Sequence, residues 1–232
     1  LPERLITLEP MVRDLARQVA VVLLAQERGE TEIRSSIDLR MQRTLERVMA
    51  QYLGTHKDVG LNNASALLLD ASAMEVRALI GSADWHNDAI AGQVNGTQAK
   101  RSPGSTLKPF LYGLALDDGL IHSESLLVDA PQSFGDYRPG NFDQAFNGPV
   151  GAAEALRLSL NVPAVDLLGR VGAARFSARL ANTGLQLRLA RGVKPNLSII
   201  LGGTGVRMED LAGAYAALSR KGVGGVVRFS EQ

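Results

Sequence analysis

Residues 101–110 decide the fold and read Arg101-Ser102-Pro103-Gly104-Ser105-Thr106-Leu107-Lys108-Pro109-Phe110. The preceding stretch, residues 81–104, is polar and without periodicity, and an apolar helical pattern then runs from Ser105 to Leu116. Pro103-Gly104 predicts a sharp entry that leaves Ser105 in the first turn of the helix. The unpaired amides and the dipole of a first turn favour developing negative charge. The segment therefore predicts an exposed serine at a helix start.

Ser105 and Lys108 are three positions apart, a spacing that places two side chains on one face of a helix. A serine hydroxyl becomes a nucleophile when a neighbouring group takes its proton, and a lysine can do so only as the neutral amine. Lowering an amine pKa from about 10.4 to about 7 takes roughly 4 to 5 kcal/mol, which desolvation or a helix N-terminus can supply. The pair fits a nucleophile and its base, although the same spacing also occurs on ordinary exposed helix faces.

A second motif, Ser159-Leu160-Asn161 with its two polar side chains, stands between two predicted helices, residues 151–158 and 163–169. Val162-Pro163 favours a new helix start directly after it. Such a tight connection can aim two side chains, Ser159 to relay a proton and Asn161 to bind a peptide carbonyl. Serine and asparagine are also common at helix ends, so an ordinary cap is the alternative interpretation.

The rest of the pattern predicts a mixed α/β (α+β) chain with a largely antiparallel sheet flanked by helices. Two apolar runs, residues 64–70 and 74–80, flank a short polar turn and are typical of an antiparallel hairpin. Helices are predicted over residues 9–28, 38–53, 105–116, 151–158, 163–169, 173–182 and 209–219, strands also over 31–37 and 224–229, and loops over 120–150.

Composition narrows the classes of function. The 232 residues include 25 Lys and Arg against 24 Asp and Glu, a formal net charge of +1, so nucleic-acid binding is not expected. The sequence has no Cys, which excludes a Cys nucleophile and thiolate metal ligands. His56, His86 and His122 are far apart in the sequence, so we expect neither a metal nor a cofactor. The apolar run at residues 19–25 is shorter than the roughly 20 residues that a membrane span needs.

The two polar motifs in this order resemble a known family. S-x-x-K followed by S-x-N is the signature of penicillin-binding proteins and serine β-lactamases. Residues 101–110 resemble the nucleophile segment of the class A, bifunctional penicillin-binding proteins, with Leu107 in place of a commoner phenylalanine. Further similar segments are Asn147-Gly148-Pro149-Val150 through Glu154-Ala155-Leu156, Ser159-Leu160-Asn161-Val162-Pro163-Ala164 with Val171-Gly172, and Ile37-Asp38-Leu39 with Gln42. The resemblance covers about residues 33–223.

This resemblance implies the penicillin-binding protein and serine β-lactamase-like transpeptidase fold, and a peptidoglycan D,D-transpeptidase. Ser105 would attack the D-Ala-D-Ala bond of a stem peptide after activation by Lys108. Ser159 would carry the proton to the leaving amine, Asn161 would orient the substrate, and the Ser105 amide would contribute to an oxyanion hole. β-Lactam antibiotics would acylate the same serine as covalent inhibitors.

One part of the family pattern, the motif K-T-G on an edge strand, does not occur in the sequence. Gly203-Thr204-Gly205 lacks the lysine and is interpreted as a loop before a helix. We therefore expect residues 33–232 to be a transpeptidase domain whose C-terminal part is missing, and residues 1–32 to be an interdomain linker segment with a helix. The resemblance implies a parent protein with a membrane anchor and an upstream glycosyltransferase domain, at the periplasmic face of the bacterial inner membrane.

Two alternatives stay open at this point. A D,D-carboxypeptidase or β-lactamase-type hydrolase has the same motifs and passes the acyl group to water instead of an amine. A non-catalytic β-lactam sensor or peptide-binding scaffold would be compatible with the missing K-T-G.

Overall fold

The structure, a computed structural model, describes residues 19–22, 34–135, 137–141 and 145–230. The chain combines helices with antiparallel strand pairs, so the predicted mixed α/β class is confirmed. It divides into two compact units: a first unit of Leu1–Lys100 with Arg207–Gln232, and a second unit of Arg101–Val206. Among the described residues, no helix combines the length and the apolar character that crossing a membrane requires.

The named helices and strands follow one another along the chain as α1 (Leu39–Thr55), β1 (Ala66–Asp70), β2 (Glu75–Ile80), α2 (Lys108–Asp117), β3 (Leu126–Asp129), β4 (Gly148–Gly151), α3 (Ala152–Arg157), α4 (Asn161–Val171), α5 (Ala173–Asn182) and α6 (Met208–Ser219). The predicted helices from residue 38 onward and the β1–β2 hairpin are thereby confirmed. The helix predicted over residues 9–28 lies outside the described residues, except that residues 19–22 are helical.

Helix α1 begins where the sequence predicts it. The Asp38 carboxylate accepts hydrogen bonds from Arg40 N at 2.8 Å and Met41 N at 3.0 Å. These bonds satisfy two of the amides that have no partner inside the helix, and they lower the pKa of Asp38.

Gln42 connects α1 to strand β2, because its side-chain amide makes the backbone hydrogen bonds that a neighbouring strand would make. Its side chain is 2% exposed, donates from Nε2 to Leu79 O at 2.8 Å and accepts at Oε1 from Leu79 N at 2.8 Å. Both backbone groups of Leu79 are therefore satisfied by one side-chain amide. A buried Gln with these two bonds fixes the position of α1 along β2.

The core of the first unit lies against the hairpin. Its fully buried members are the apolar side chains Val19, Val22, Val76, Leu79 and Phe229, with Ile37, Leu67, Leu69 and Val227 packed around them. The β1–β2 ladder runs from Ala66 opposite Ile80 to Asp70 opposite Glu75, with an irregularity after Leu68.

Two strand predictions are wrong in part. Residues 224–229 form no strand: Arg228 makes one parallel bridge with Glu75, with Val76 N donating to Arg228 O and Arg228 N to Met74 O, both at 2.9 Å. Gly224 and Gly225 have low strand propensity, which limits the pairing. In the described part of the strand predicted over residues 31–37, Ser35 makes a single bridge with Ser230.

The prediction of loops over residues 120–150 misses a short sheet in the second unit. Strands β3 and β4 pair antiparallel, from Leu126 opposite Gly151 to Asp129 opposite Gly148. Each strand has only four residues, and Gly148-Pro149 argues against a strand on propensity alone. In a two-stranded sheet the proline can occupy an edge, so the pairing is tolerated.

The second unit is held by helix packing. Helix α2 lies against α4, and α4 also contacts the 3₁₀ turn Leu197–Leu201. Buried apolar side chains recur at helical spacing from Leu107 into α2 and along α4, and the 3₁₀ turn adds two more: Leu107, Leu111, Ala115, Val165, Leu168, Ile199 and Ile200. Lys108 and Asn161 begin the two packed helices, so the packing brings the S-x-x-K and S-x-N motifs to one end of the helix pair.

Replacing Gln42 by Leu tests the contact between α1 and β2. The variant keeps the side-chain volume but leaves Leu79 N and Leu79 O unpaired, which should lower the free energy of unfolding by about 2–4 kcal/mol. Urea denaturation measures the change. Thr44→Ala, at an exposed position on the same helix, should stay within about 0.5 kcal/mol of the parent. Equal effects of the two substitutions would contradict this account.

Candidate active site

The turn that carries Ser105 leads directly into α2, which begins at Lys108 and not at Ser105 as the sequence predicts. Gly104 adopts a left-handed φ of +54°, and Gly104–Leu107 form a 3₁₀ turn that leads into α2. Leu107 is fully buried and anchors the turn, whereas Ser105 is exposed. Thr106 Oγ1 also donates to Pro103 O at 2.7 Å, which closes the turn. Ser105 thus stands exposed on a turn that a hydrogen bond closes.

Lys108 is the most unusual side chain of the site because it is a lysine that is only 1% exposed. Its Nζ donates to Ser159 O at 2.6 Å, to Asn161 Oδ1 at 2.8 Å and to Ser159 Oγ at 3.2 Å. A lysine is almost never fully buried without such partners. The three contacts join the S-x-x-K motif to the S-x-N motif.

Burial lowers the pKa of Lys108 to about 8. At pH 7.5 about a quarter of an amine with that pKa is neutral, compared with about one in a thousand for an ordinary lysine. Desolvation disfavours the ammonium, and the three oxygen acceptors favour it. The balance leaves an amine that can be protonated and deprotonated near neutral pH, which a general base requires.

Ser159 adopts a backbone conformation that is rare for its residue type. Its φ is +56°, in the left-handed region, which costs roughly 1 kcal/mol or more for a side chain other than Gly. The turn follows α3, and Ser159 N bonds to Leu156 O at 3.0 Å. This conformation accompanies the bonds from Lys108 Nζ to both the carbonyl and the hydroxyl of Ser159. A strained backbone in direct contact with a buried amine is consistent with a functional constraint.

Asn161 begins α4, and its side-chain oxygen, side-chain nitrogen and backbone N all make hydrogen bonds outside α4. Its Oδ1 accepts from Lys108, its Nδ2 donates to Gly140 O at 2.7 Å, and its backbone N donates to Asn141 Oδ1 at 2.8 Å. The bonds to Lys108 and Gly140 fix which way the Asn161 amide points. The interpretation as an ordinary helix cap is wrong for Asn161, because its side chain bonds to residues outside its own helix.

Three of the four predicted site residues are joined by hydrogen bonds, and Ser105 is not joined to them by the bonds of Lys108 Nζ. Lys108, Ser159 and Asn161 form one hydrogen-bonded group. Among the described residues, the oxygen partners of Lys108 Nζ do not include the hydroxyl of Ser105, which lies three positions earlier on the same turn. Sequence reasoning missed Asn141, because it falls in the stretch interpreted as loops. The pair Pro139-Gly140 directly before it was the available signal of a fixed turn.

Gly202 packs closely against the turn that carries Ser105. Ser102 Oγ donates to Gly202 O at 2.8 Å. A methyl group on Gly202 would lie 3.0 Å from both the N and the Cα of Gly104, and closer still to Ser102 Oγ. Gly202 also has a φ of +95°, which favours glycine. The turn that carries Ser105 therefore depends on a residue without a side chain at position 202.

Gly203-Thr204-Gly205 forms a loop, as predicted. Gly205 and Val206 make only isolated bridges, with Arg188 and Arg101 respectively. Thr204 is buried and its hydroxyl donates to Arg188 O at 3.3 Å. Contacts with Arg188 and Arg101 thus hold the segment, and it forms no strand of the K-T-G type.

Comparison with known proteins assigns the chain to a family. A family model described as the penicillin-binding protein transpeptidase domain matches residues 64–223. The chain belongs to this family. It is 45% identical to penicillin-binding protein 1C of Escherichia coli over 93% of its own length, and 32% identical to penicillin-binding protein 1F of Bacillus subtilis over 84%. The resemblance drawn from residues 101–110 and 159–164 is confirmed.

The chain matches only part of the length of each of these relatives. The chain spans 28% of the length of the Escherichia coli protein and 26% of the Bacillus subtilis protein. A solved structure of PonA1 from Mycobacterium tuberculosis, in complex with penicillin V, is similar with a TM-score of 0.76 at 24% identity, over 94% of this chain and 60% of that chain. This likeness confirms the predicted transpeptidase fold.

Replacing Gly202 by Ala tests the packing against the turn that carries Ser105. The added methyl group meets the backbone of Gly104 and forces a left-handed alanine, so we expect a loss of about 1–3 kcal/mol in the free energy of unfolding. Gly113→Ala is the matched control, because Gly113 lies in α2 with open space around it. That control should be neutral or stabilising by up to about 1 kcal/mol. Guanidinium denaturation of both variants provides the comparison, and a harmless Gly202→Ala would refute the close contact.

Proposed function

We propose that this chain provides the serine acylation site of a peptidoglycan D,D-transpeptidase. The observation that carries the proposal is the buried amine of Lys108, with a pKa lowered to about 8 and bonds to Ser159 and Asn161. A lysine in this environment serves as a base for the hydroxyl three positions away. Membership of the transpeptidase family supports the same assignment.

Each residue has a role in the proposed reaction. Ser105 Oγ attacks the carbonyl carbon of the penultimate D-alanine in a stem peptide, and its proton passes to the neutral amine of Lys108. The Ser105 amide stabilises the oxyanion of the tetrahedral intermediate. The proton then passes through the Ser159 hydroxyl to the leaving nitrogen, the peptide bond breaks, and D-alanine departs. An amine of a second stem peptide attacks the resulting ester, which forms the cross-link and frees Ser105.

Asn161 orients the donor peptide in this proposal. Its Nδ2 carries two hydrogens, and Gly140 O accepts one of them. We assign the second hydrogen to a carbonyl of the stem peptide. Because Oδ1 bonds to Lys108, the same side chain couples substrate position to the base. A β-lactam places its strained amide at the same point and acylates Ser105.

The wider assignment concerns the parent protein. We assign residues 33–232 to the transpeptidase domain and residues 1–32 to a linker from an upstream glycosyltransferase domain, with a membrane anchor and a location at the periplasmic face of the inner membrane. The resemblance to class A penicillin-binding proteins and the greater length of the matched relatives support this assignment. The K-T-G motif would lie in the parent sequence beyond Gln232.

Covalent labelling tests the nucleophile. The full-length natural protein that contains this sequence, incubated with a fluorescent penicillin, should gain one adduct whose mass spectrum places it on Ser105. Ser105→Ala should remove the adduct completely, because the proposed acyl ester forms on the Ser105 hydroxyl. Ser102→Ala is the matched control and should still be labelled. An unlabelled parent protein, or an adduct on another residue, would refute the proposal.

The pH dependence of acylation tests the base. If the neutral amine of Lys108 takes the proton, the second-order acylation constant should rise with pH and level off above about 8, the lowered pKa of Lys108. Lys108→Arg should lower the constant about 10²- to 10⁴-fold at every pH, since a guanidinium stays protonated. Lys100→Ala, at an exposed lysine, is the control and should keep both the constant and the profile. A flat profile in the parent protein would exclude Lys108 as the base.

Product analysis separates transfer from hydrolysis. A stem-peptide donor incubated with an amino-acid acceptor should give the amide product in excess over the free acid. Free acid alone would instead identify a carboxypeptidase or β-lactamase-type hydrolase, and an adduct without turnover would identify a sensor.

A further inference from the structure

Asp129 is a carboxylate buried in the second unit with no exposed surface. It ends strand β3 and accepts hydrogen bonds from the side-chain amide of Asn141, at 2.8 Å to Oδ1 and 2.9 Å to Oδ2. Asn147 adds two more to Oδ2, from its backbone N at 2.9 Å and its Nδ2 at 2.8 Å. A carboxylate is this deeply buried only where several donors replace its water shell.

The charge of Asp129 determines the orientation of Asn141. A carboxylate can only accept, so the Nδ2 of Asn141 must face it, and that Nδ2 also donates to Ala145 O at 2.9 Å. The Oδ1 of Asn141 therefore points the other way, where it accepts from Asn161 N at 2.8 Å. A neutral amide at position 129 would place a donor where Asp129 has an acceptor, so Ala145 O and Asn161 N alone would favour this orientation of the Asn141 amide.

The bond from Asn161 N to Asn141 Oδ1 replaces a missing helix cap. Asn161 is the first residue of α4, and its amide has no partner inside the helix. Leu160, which precedes the helix, offers no side-chain acceptor. Asn141 thus satisfies this amide from a distant segment and fixes where α4 begins. Because Asn161 Oδ1 receives Lys108 Nζ at 2.8 Å, the start of α4 also fixes the acceptor for the lysine.

We propose that Asp129 is a positioning residue for the acylation site: it orients Asn141, which holds Asn161 against Lys108. This role presupposes the proposed function for its catalytic consequence. The path contains only hydrogen bonds of 2.8–2.9 Å between buried or half-buried groups. Burial and, to a smaller extent, the negative charge of Asp129 raise the pKa of Tyr112.

The test is Asp129→Asn, which replaces one carboxylate oxygen by a donor and weakens the hold on the Asn141 orientation. Asn161 then moves from Lys108, and the acylation constant with a fluorescent penicillin should fall about 10- to 100-fold, the scale of a catalytic misplacement of about 1 Å. The ammonium of Lys108 also loses an acceptor, so its titration midpoint should shift to lower pH. Selective ¹³C labelling of lysine and NMR titration measure this midpoint, with Lys108→Arg to assign the signal.

Asn147→Ala is the matched control. It removes the side-chain donor of Asn147 from the Asp129 carboxylate and leaves the hydrogen bonds from Asp129 through Asn141 to Asn161 in place. It should lower the melting temperature while the Lys108 midpoint and the acylation profile stay as in the parent. Asn141→Leu takes the acceptor from Asn161 by a second route and should reproduce the effect of Asp129→Asn. If Asp129→Asn does not fold, Asn141→Leu decides the question alone.

Two results would overturn the positioning role. One is an unchanged acylation constant in folded Asp129→Asn or Asn141→Leu. The other is a reduced constant with an unchanged Lys108 midpoint, which general destabilisation would produce. The NMR titration needs no acylation, so it decides the positioning role even if the parent protein proves unreactive to penicillin, which is the separate failure of the proposed function.

Discussion

The arrangement of the site depends on the burial of a single amine. Lys108 is removed from water, and a buried amine must have oxygen partners close by. The shortest of its three bonds goes to the carbonyl of Ser159, a residue in left-handed conformation, and another goes to the first side chain of α4. The turn after α3 and the start of α4 are both fixed by what the lysine requires. Packing of α2 against α4 then keeps the lysine buried.

The second unit contains two buried groups of opposite charge type that do not touch. Lys108 and Asp129 are linked through the amides of Asn161 and Asn141. A direct ion pair would stabilise the ammonium and raise the lysine pKa, which would remove the neutral amine that a base requires. The two neutral amides of Asn141 and Asn161 lie between Asp129 and Lys108. They fix each other's orientation without placing a negative charge beside the amine. This separation allows a rigid site and a lysine pKa near 8 to coexist.

Much of the fold and most of the site could be predicted from local patterns. Asp38, the β1–β2 hairpin and the helix after Ser105 follow from capping, alternation and periodicity, and the two motifs follow from residues spaced three apart or fewer. Asp129 and Asn141 could not be recognised, because their meaning depends on partners that only the folded chain brings close. The β3–β4 pair was hidden by Gly148-Pro149. Residues 224–229 have apolar positions, but Gly224 and Gly225 limit their pairing to the single bridge at Arg228.

The left-handed backbone conformation of Ser159 limits which amino acids can replace it. The shortest bond of Lys108 Nζ, at 2.6 Å, is made to a main-chain oxygen, which every amino acid possesses. Codon changes at position 159 can therefore delete the hydroxyl, but they leave this anchor in place as long as the replacement accepts a positive φ. Glycine and asparagine accept it most readily, and β-branched residues least. The allowed substitutions at this position are thus selected by backbone geometry before side-chain chemistry is considered.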